Sequence, residues 1–265
     1  MPEALVSEGL WEVIGSLLPA ESPKPKGGRP RVPDRAALEG IVYVLRSGIP
    51  WRMLPEEFGC SGVTCWRRLR DWHEAGVWRR LRQALLDRLG QAGLIDWARA
   101  SVDSASTPAK KGGEDRSQPG RSRQTRLETP PARRRERHAA RRGAHRGQVH
   151  DSKIFEGLVD GVEPVKGPRG RPRKRPEKLH ADKGYDYQCC RRFLHRRGIK
   201  ARIARRAVES SQRLGRHRWV VERTLAWLSC YRRLCVRYER RANIHEAFLE
   251  LGCALVCFNR LRRGL

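Results

Sequence analysis

The hydrophobic pattern of the chain changes at Leu94, and this change limits the folds that the sequence can adopt. Before Leu94, apolar residues recur every three or four positions, as they do on one face of an α-helix. After it, the stretch from Ile95 to Asp103 alternates apolar and polar residues, as expected of a β-strand. We therefore predict a helical domain at residues 1–93 and an α/β domain at residues 94–265.

The N-terminal region is predicted to contain three or four short helices joined by tight turns. One helix is capped by Asp34 and ends at Gly48, and the next follows Ser61 and Thr64, which are two possible caps. The helix after Ser61 carries three arginines: Arg67, Arg68 and Arg70. Such an arrangement is typical of a helix-turn-helix domain, in which these arginines would contact DNA. An ordinary helical bundle with a solvated basic face is the alternative.

The region after Leu94 alternates strands with helices, which indicates an α/β domain. After the strand that ends at Asp103, strands are predicted at Lys178–Asp182 and Ile199–Ala204. Helices are predicted from Tyr187 to Arg197, from Arg216 to Leu228 and from about Ile244 to Arg262.

The chain is strongly basic, with 57 Lys and Arg against 29 Asp and Glu and a formal net charge of +28. Such an excess repels itself in a compact state, and a polyanionic partner relieves that repulsion. The charge therefore favours nucleic acid as the partner. The clusters Arg169–Lys174 and Arg232–Arg241 suit phosphate contacts, although a solvated surface explains them equally well.

The sequence shows no run of about 18 apolar residues and no signal peptide, so we expect no membrane contact and a cytoplasmic location. The eight cysteines would then remain reduced. Because none of them has the C-x2-C spacing of common zinc sites, we interpret them as small buried apolar residues.

Three carboxylates stand out by their context in the sequence. Asp103 and Asp182 each follow a predicted strand, at the end where α/β sheets place their sites. Glu222 lies on a predicted helix one turn after Arg218. A carboxylate repels a phosphate unless a cation lies between the two. Three carboxylates in a DNA-binding chain therefore suggest two bound Mg²⁺ or Mn²⁺ ions that activate a water or a 3′-hydroxyl.

The strings SVDSASTPAKKGGED, LHADKGYDY, GIKARIARR and GRHRWVVERTLAWL resemble the catalytic core of DDE insertion-sequence transposases of the type-five group. The stretch GRPRVPDRAALEGIVYVLRSGIPWRMLPEEFG resembles the N-terminal domain of the same group. The resemblance implies a ribonuclease-H-like mixed sheet flanked by helices, with an N-terminal helix-turn-helix-like domain. Asp103, Asp182 and Glu222 would be the catalytic metal ligands.

The resemblance also implies a reaction and partners. Metal-dependent cleavage at the ends of the insertion sequence would be followed by strand transfer to target DNA. The partner would be double-stranded DNA in the bacterial nucleoid, bound by a homodimer. Arg218 matches an arginine of the family, while Lys183 either contacts phosphate or packs. Two other functions remain open: a DNA-binding protein without catalysis, and a metal-dependent nuclease without strand transfer.

The resemblance fails between residues 115 and 147, where the sequence holds eleven Arg against two Glu and few large apolar residues. The family has alternating apolar strands here. Part of the segment can be back-translated into codons that, shifted by one base, encode the family's pattern. We therefore interpret it as the product of two compensating frameshifts, and a basic insertion loop is the alternative. In either case we expect an Arg-rich coil, which would weaken the support of Asp103 and the activity of this copy.

Overall fold

The computed structural model describes residues 5–20, 30–108, 121–128, 151–205 and 226–264, with the backbone alone for 103–108, 121–128 and 151–153. The helices are α1 (Glu8–Gly15), α2 (Asp34–Ser47), α3 (Gly62–Glu74), α4 (Val77–Gln91), α5 (Asp151–Asp160), α6 (Gln188–Arg196), α7 (Arg232–Cys235) and α8 (Ala242–Gly264). The strands are β1 (Ala100–Pro108), β2 (Arg121–Glu128), β3 (Lys178–Ala181) and β4 (Lys200–Ile203). Within these ranges, no helix is long and apolar enough to cross a membrane.

The ends of the N-terminal helices follow local sequence signals. Gly48 ends α2 with a φ of 75°, a backbone conformation that side chains with a Cβ rarely adopt. The Ser61 side chain caps α3 by accepting a hydrogen bond from the amide of Thr64 at 3.2 Å. The predicted cap of α2 is wrong by one residue, because Pro33 precedes the helix and Asp34 is its first helical residue.

The four strands form one mixed sheet in the order β2-β1-β3-β4. β1, β3 and β4 run parallel to one another, and β2 pairs antiparallel with β1 at the edge. The parallel ladder between β1 and β3 pairs Ala100 with Leu179 and ends where Val102 pairs with Ala181. A small parallel sheet with flanking helices confirms the prediction of an α/β region after Leu94.

The first strand lies further along the chain than predicted. The Asp96 carboxylate accepts a hydrogen bond from the amide of Ala98 at 2.9 Å, and this local turn precedes the strand. β1 therefore begins at Ala100, and it continues beyond Asp103 to Pro108 because β2 pairs with it along that length. The prediction that the strand ends at Asp103 is wrong for this reason.

Part of the Arg-rich segment differs from the expected coil. Residues Arg121–Glu128 form β2, which pairs with β1 from Ser101↔Glu128 to Pro108↔Arg121. The pairing uses backbone hydrogen bonds, and an edge strand can form these without many apolar side chains. The rest of the segment between residues 115 and 147 lies outside the described residues.

Two hydrophobic cores divide the described side chains. The first core joins α1–α4 to α7 and α8, and it includes Trp72 and Trp78, whose rings meet edge to face at 5.6 Å. The second lies between the sheet and helices α5 and α6, and is built around Phe155, Tyr185 and Phe193. Residues from both sides of the predicted boundary near Leu94 enter the first core, because Ile95, Val165, α7 and α8 pack in it together with α1–α4.

Candidate catalytic and nucleic-acid sites

The sheet brings two of the three predicted catalytic carboxylates to adjacent positions. Val102 and Ala181 are the last paired residues of the parallel ladder, and Asp103 and Asp182 directly follow them. Neighbouring paired strands lie about 5 Å apart. Asp103 and Asp182, which are about 80 positions apart in the sequence, therefore lie on neighbouring strands at the same end of the ladder.

The turn after β3 fixes the position of Asp182. The Asp182 carboxylate is half-buried and accepts a hydrogen bond from the amide of Gly184 at 2.9 Å through Oδ1. The turn continues into Tyr185, which is fully buried and packs against the ring of Phe155 at 5.4 Å between ring centroids. Tyr185 thus belongs to the core, and its burial anchors the turn that carries Asp182.

Lys183 is half-buried at the start of this turn. Behind it, Asp186 and Arg191 form an ion pair, with 2.7 Å between Oδ1 and Nη2. Arg191 also donates a hydrogen bond to the carbonyl of Ile203 at the end of β4 at 2.9 Å. Sequence analysis did not single out this pair, although a carboxylate shortly before an arginine in the first turn of a helix is a readable signal.

The rest of the predicted catalytic site falls on parts of the chain that the structure does not describe. Glu222 and Arg218 lie outside the described residues, as does the side chain of Asp103. Among the side chains that the structure describes, no group of three His, Cys, Asp or Glu is arranged to hold a metal ion. The three-carboxylate site therefore stays a prediction. The structure describes the side chain of Asp182 and only the backbone of Asp103.

The three arginines predicted to contact DNA have different surroundings on α3. Arg67 is exposed. The side chain of Arg68 is 13% exposed and lies 3.4 Å from the Asp34 carboxylate, which ties α3 to the start of α2. Arg70 pairs with the neighbouring Asp71 at 2.7 Å. Only Arg67 thus extends freely from the helix, and Arg68 has a structural contact instead.

The interpretation of the cysteines as small buried apolar residues is wrong for Cys189, Cys230 and Cys235, which are exposed. The other five are buried: Cys60, Cys65, Cys190, Cys253 and Cys257. Burial raises the pKa of the Cys190 thiol to about 12, with a further contribution from the neighbouring Cys189.

Comparison with known families identifies the family to which the chain belongs. The family described as "Transposase DDE domain" matches residues 92–257, which include Asp103, Asp182 and Glu222. The chain belongs to the IS4/5 family of DDE transposases. The family described as "Putative transposase of IS4/5 family (DUF4096)" matches residues 6–82, which cover α1–α3.

Two relatives of the chain come from Burkholderia cepacia. One, "Putative transposase for insertion sequence element IS402", is 52% identical over 116 residues, which are 44% of this chain and 55% of the relative. The other, "Insertion element IS402 uncharacterized 16.2 kDa protein", is 50% identical over 117 residues, 43% of this chain and 80% of the relative. The chain thus spans about half the length of the first relative. No solved structure gives a significant match.

Proposed function

We propose that the chain is a DNA transposase that cleaves DNA strands at insertion-sequence ends and transfers them to target DNA. The observation that carries this proposal is the placement of Asp103 and Asp182 directly after the paired residues Val102 and Ala181, within a DDE-family chain. Both carboxylates lie where the parallel pairing of β1 and β3 ends, and open α/β sheets bind their ligands beyond the carboxyl ends of their parallel strands. The net charge of +28 supports double-stranded DNA as the substrate.

The proposed fold of the catalytic region is ribonuclease-H-like. The mixed sheet supports this assignment, because three parallel strands are extended at one edge by an antiparallel strand. We keep residues 1–93 as a helix-turn-helix-like DNA-binding domain and residues 94–265 as the catalytic domain. The return of α8 to the first core means that the two domains share a C-terminal helix.

Asp103, Asp182 and Glu222 are the proposed ligands of two divalent cations, and the donor set fits them. Carboxylate oxygens are the ligands that Mg²⁺ prefers. Because one oxygen of Asp182 accepts the Gly184 amide, the side chain is held in place while its other oxygen is left for a cation. When bound there, Mg²⁺ would supply Lewis-acid activation of a water or a 3′-hydroxyl.

The protein's own contribution is to position these groups and the DNA. The Asp186–Arg191 pair and the hydrogen bond to Ile203 fix the turn that follows Asp182 against the end of β4. Lys183 and Arg218 are the proposed phosphate contacts beside the carboxylates. Since two DNA ends must be held together for transposition, we propose a homodimer on DNA.

A second function is favoured by one feature of this particular chain. β2, which pairs with β1 along the Asp103 region, comes from the Arg-rich segment that departs from the family's pattern. Small errors in the position of a metal ligand reduce catalysis strongly. A protein that still binds DNA but no longer cleaves it is therefore the alternative, as is a nuclease that lacks strand transfer.

Replacing Asp182 by Asn separates these functions. In the presence of Mg²⁺, the unaltered chain should nick a supercoiled plasmid that carries the gene with its flanking DNA. Asp182→Asn should lower the nicking rate by at least about 100-fold, because an amide is a poor ligand for a hard cation. Binding to the same DNA should persist, since the asparagine oxygen can still accept the Gly184 amide.

Asp160→Asn is the matched control, because Asp160 forms an exposed ion pair with Arg197 away from the site. Its nicking rate should equal that of the unaltered chain. Equal nicking by Asp182→Asn would rule out the proposed site. If the unaltered chain is instead a remnant that only binds DNA, it will bind without nicking, and a variant with the reading frame of residues 115–147 restored will nick. A strand-transfer assay with pre-cleaved ends separates transposase from nuclease.

A further inference from the structure

The outward face of α3 carries an unusual combination of side chains. Val63, Trp66, Arg67 and Arg70 are spaced so that they share one side of the helix, and we call this set the α3 face. The opposite side is buried in the first core through Cys65, Leu69 and Trp72. Val63 is 59% exposed on this face, which is high for a large apolar residue in the described part of the chain.

Trp66 brings together two arginines from distant parts of the sequence. The guanidinium carbon of Arg70 lies 5.4 Å from the centroid of the Trp66 ring, and that of Arg241 lies 5.6 Å from it. Arg241 directly precedes α8, at the other end of the chain from α3. A cation near an aromatic ring is held by attraction to the ring's electron density. The indole therefore fixes two positive charges on one surface.

Contacts between α3 and α8 keep this arrangement in place. The ring of His73, in the last turn of α3, lies 3.7 Å from the Glu250 carboxylate and 3.9 Å from that of Glu246, both on α8. The Trp51 and Phe248 rings stack at 5.5 Å beside them. Because α3 and α8 pack within the same core, Arg241 is held against the α3 face by a rigid scaffold.

The charges on this surface are incompletely neutralised. Arg70 is paired with Asp71 at 2.7 Å. Arg67 and Arg241 are both exposed, and neither forms an ion pair within the described part of the chain. By contrast, Arg68 points away from this surface into its contact with Asp34. A surface whose positive charges exceed its carboxylates favours the binding of a polyanion.

We propose that the α3 face and Arg241 together form a contact surface for duplex DNA, built from both ends of the chain. The inference rests on the proposed function, and it goes beyond a DNA-binding domain confined to residues 1–93. Arg241 and Arg70, aligned by Trp66, contact backbone phosphates, where guanidinium groups bind well. Arg67 and the exposed Val63 lie along the helix that enters the groove. An exposed apolar residue surrounded by cations fits DNA better than it fits an apolar protein surface.

The test measures the affinity of the full chain for a 30-base-pair duplex over a range of KCl concentrations. Each lost phosphate contact should reduce the slope of log affinity against log salt by about 0.9. Arg241→Gln should reduce the slope by that amount, and Arg241→Lys should restore it, because the lysine keeps the charge. Arg88→Gln, which removes an exposed arginine of α4, is the matched control and should leave DNA binding unchanged.

Trp66 distinguishes a built surface from general electrostatic attraction. Trp66→Ala removes no charge, yet it should weaken DNA binding several-fold because it releases both arginines. Trp66→Phe keeps an aromatic ring and should retain most of the affinity. Arg68→Gln should lower the melting temperature and leave the salt slope unchanged, since Arg68 is held by Asp34.

The outcomes separate this inference from the proposed function. If the unaltered chain binds the duplex and Arg241→Gln and Arg67→Gln both behave like Arg88→Gln, the surface is wrong and the proposed function stands. The surface would likewise be wrong if it bound another protein and if the affinity of the chain for the duplex did not change with KCl concentration. If the unaltered chain shows no affinity for duplex DNA, both the inference and the proposed function fail.

Discussion

Arg233 and Glu239 form a buried ion pair, with 2.7 Å between Nη2 and Oε1, and their side chains are only 6% and 10% exposed. The Arg233 guanidinium also donates hydrogen bonds to the carbonyls of Gly48 and Ile49 at 3.3 and 3.1 Å. The pair thereby joins the segment before α8 to the turn after α2. Although Arg233 belongs to the basic cluster Arg232–Arg241, its burial removes it from the candidate phosphate contacts.

Replacing Arg233 by Met should destabilise the protein by about 3–5 kcal/mol, because Glu239 would remain buried without a partner. Urea unfolding of the full chain measures this change. The double variant with Glu239→Leu should recover part of the loss, since two apolar residues can replace a buried pair. Recovery would be incomplete because the carbonyls of Gly48 and Ile49 lose their donor. A single variant as stable as the unaltered chain contradicts the structural role of the pair.

Two helical glycines should respond to alanine in opposite directions. A Cβ at Gly90 of α4 would lie 2.2 Å from the carbonyl oxygen of Lys166, so the loop that docks on α4 must move. A Cβ at Gly157 of α5 would meet nothing within 4 Å. Gly90→Ala should cost about 1–3 kcal/mol. Gly157→Ala should stabilise by up to about 1 kcal/mol, because alanine favours the helix.

Thermal unfolding of the two variants checks this contrast. The docked loop holds the sheet region to α4 by two hydrogen bonds. The amide of Lys166 donates to the Asp87 carboxylate at 2.9 Å, and the Gln83 side chain donates to the carbonyl of Pro164 at 2.8 Å. If the melting temperature of Gly90→Ala equals or exceeds that of the unaltered chain, the loop at Lys166 does not pack closely against Gly90 in solution.

The adjacent thiols of Cys189 and Cys190 should differ in reactivity. Cys189 is exposed, whereas burial holds the pKa of Cys190 at about 12. Alkylation requires the thiolate, which forms only as the pH approaches the pKa. At pH 8 iodoacetamide should therefore label Cys189 and leave Cys190 unmodified, and the contrast should disappear in urea. Mass spectrometry of the tryptic peptides distinguishes the two sites, and equal labelling of the folded protein would contradict the burial of α6.

The local elements were largely readable from the sequence. The left-handed Gly48, the Ser61 cap and the strand before Asp182 all follow from short-range signals, and the structure confirms them. Elements that depend on a partner were less well predicted. β1 extends beyond Asp103 because β2 pairs with it, and α8 joins the first core because α4 offers it a buried face.

The arginines on α3 show the same limit. Their order in the sequence makes Arg67, Arg68 and Arg70 equivalent candidates for DNA contact. Asp34 and Asp71 form ion pairs with Arg68 and Arg70, and the Trp66 ring brings Arg241, from a distant part of the chain, beside Arg70. The Arg70–Asp71 pair is local to α3, but the contacts of Arg68 with Asp34 and of Trp66 with Arg241 join different elements, so no local pattern could have indicated those two.

The strings around Asp103, Asp182 and Glu222 were enough to place the chain among DDE transposases, because chemistry at a phosphate constrains residue types over short stretches. Packing was needed to set Asp103 beside Asp182, through the register of β1 and β3. Packing also determined which of the arginines on α3 are exposed and which form ion pairs. Register and burial depend on which surfaces meet after collapse, and that information is spread over residues far apart in the chain.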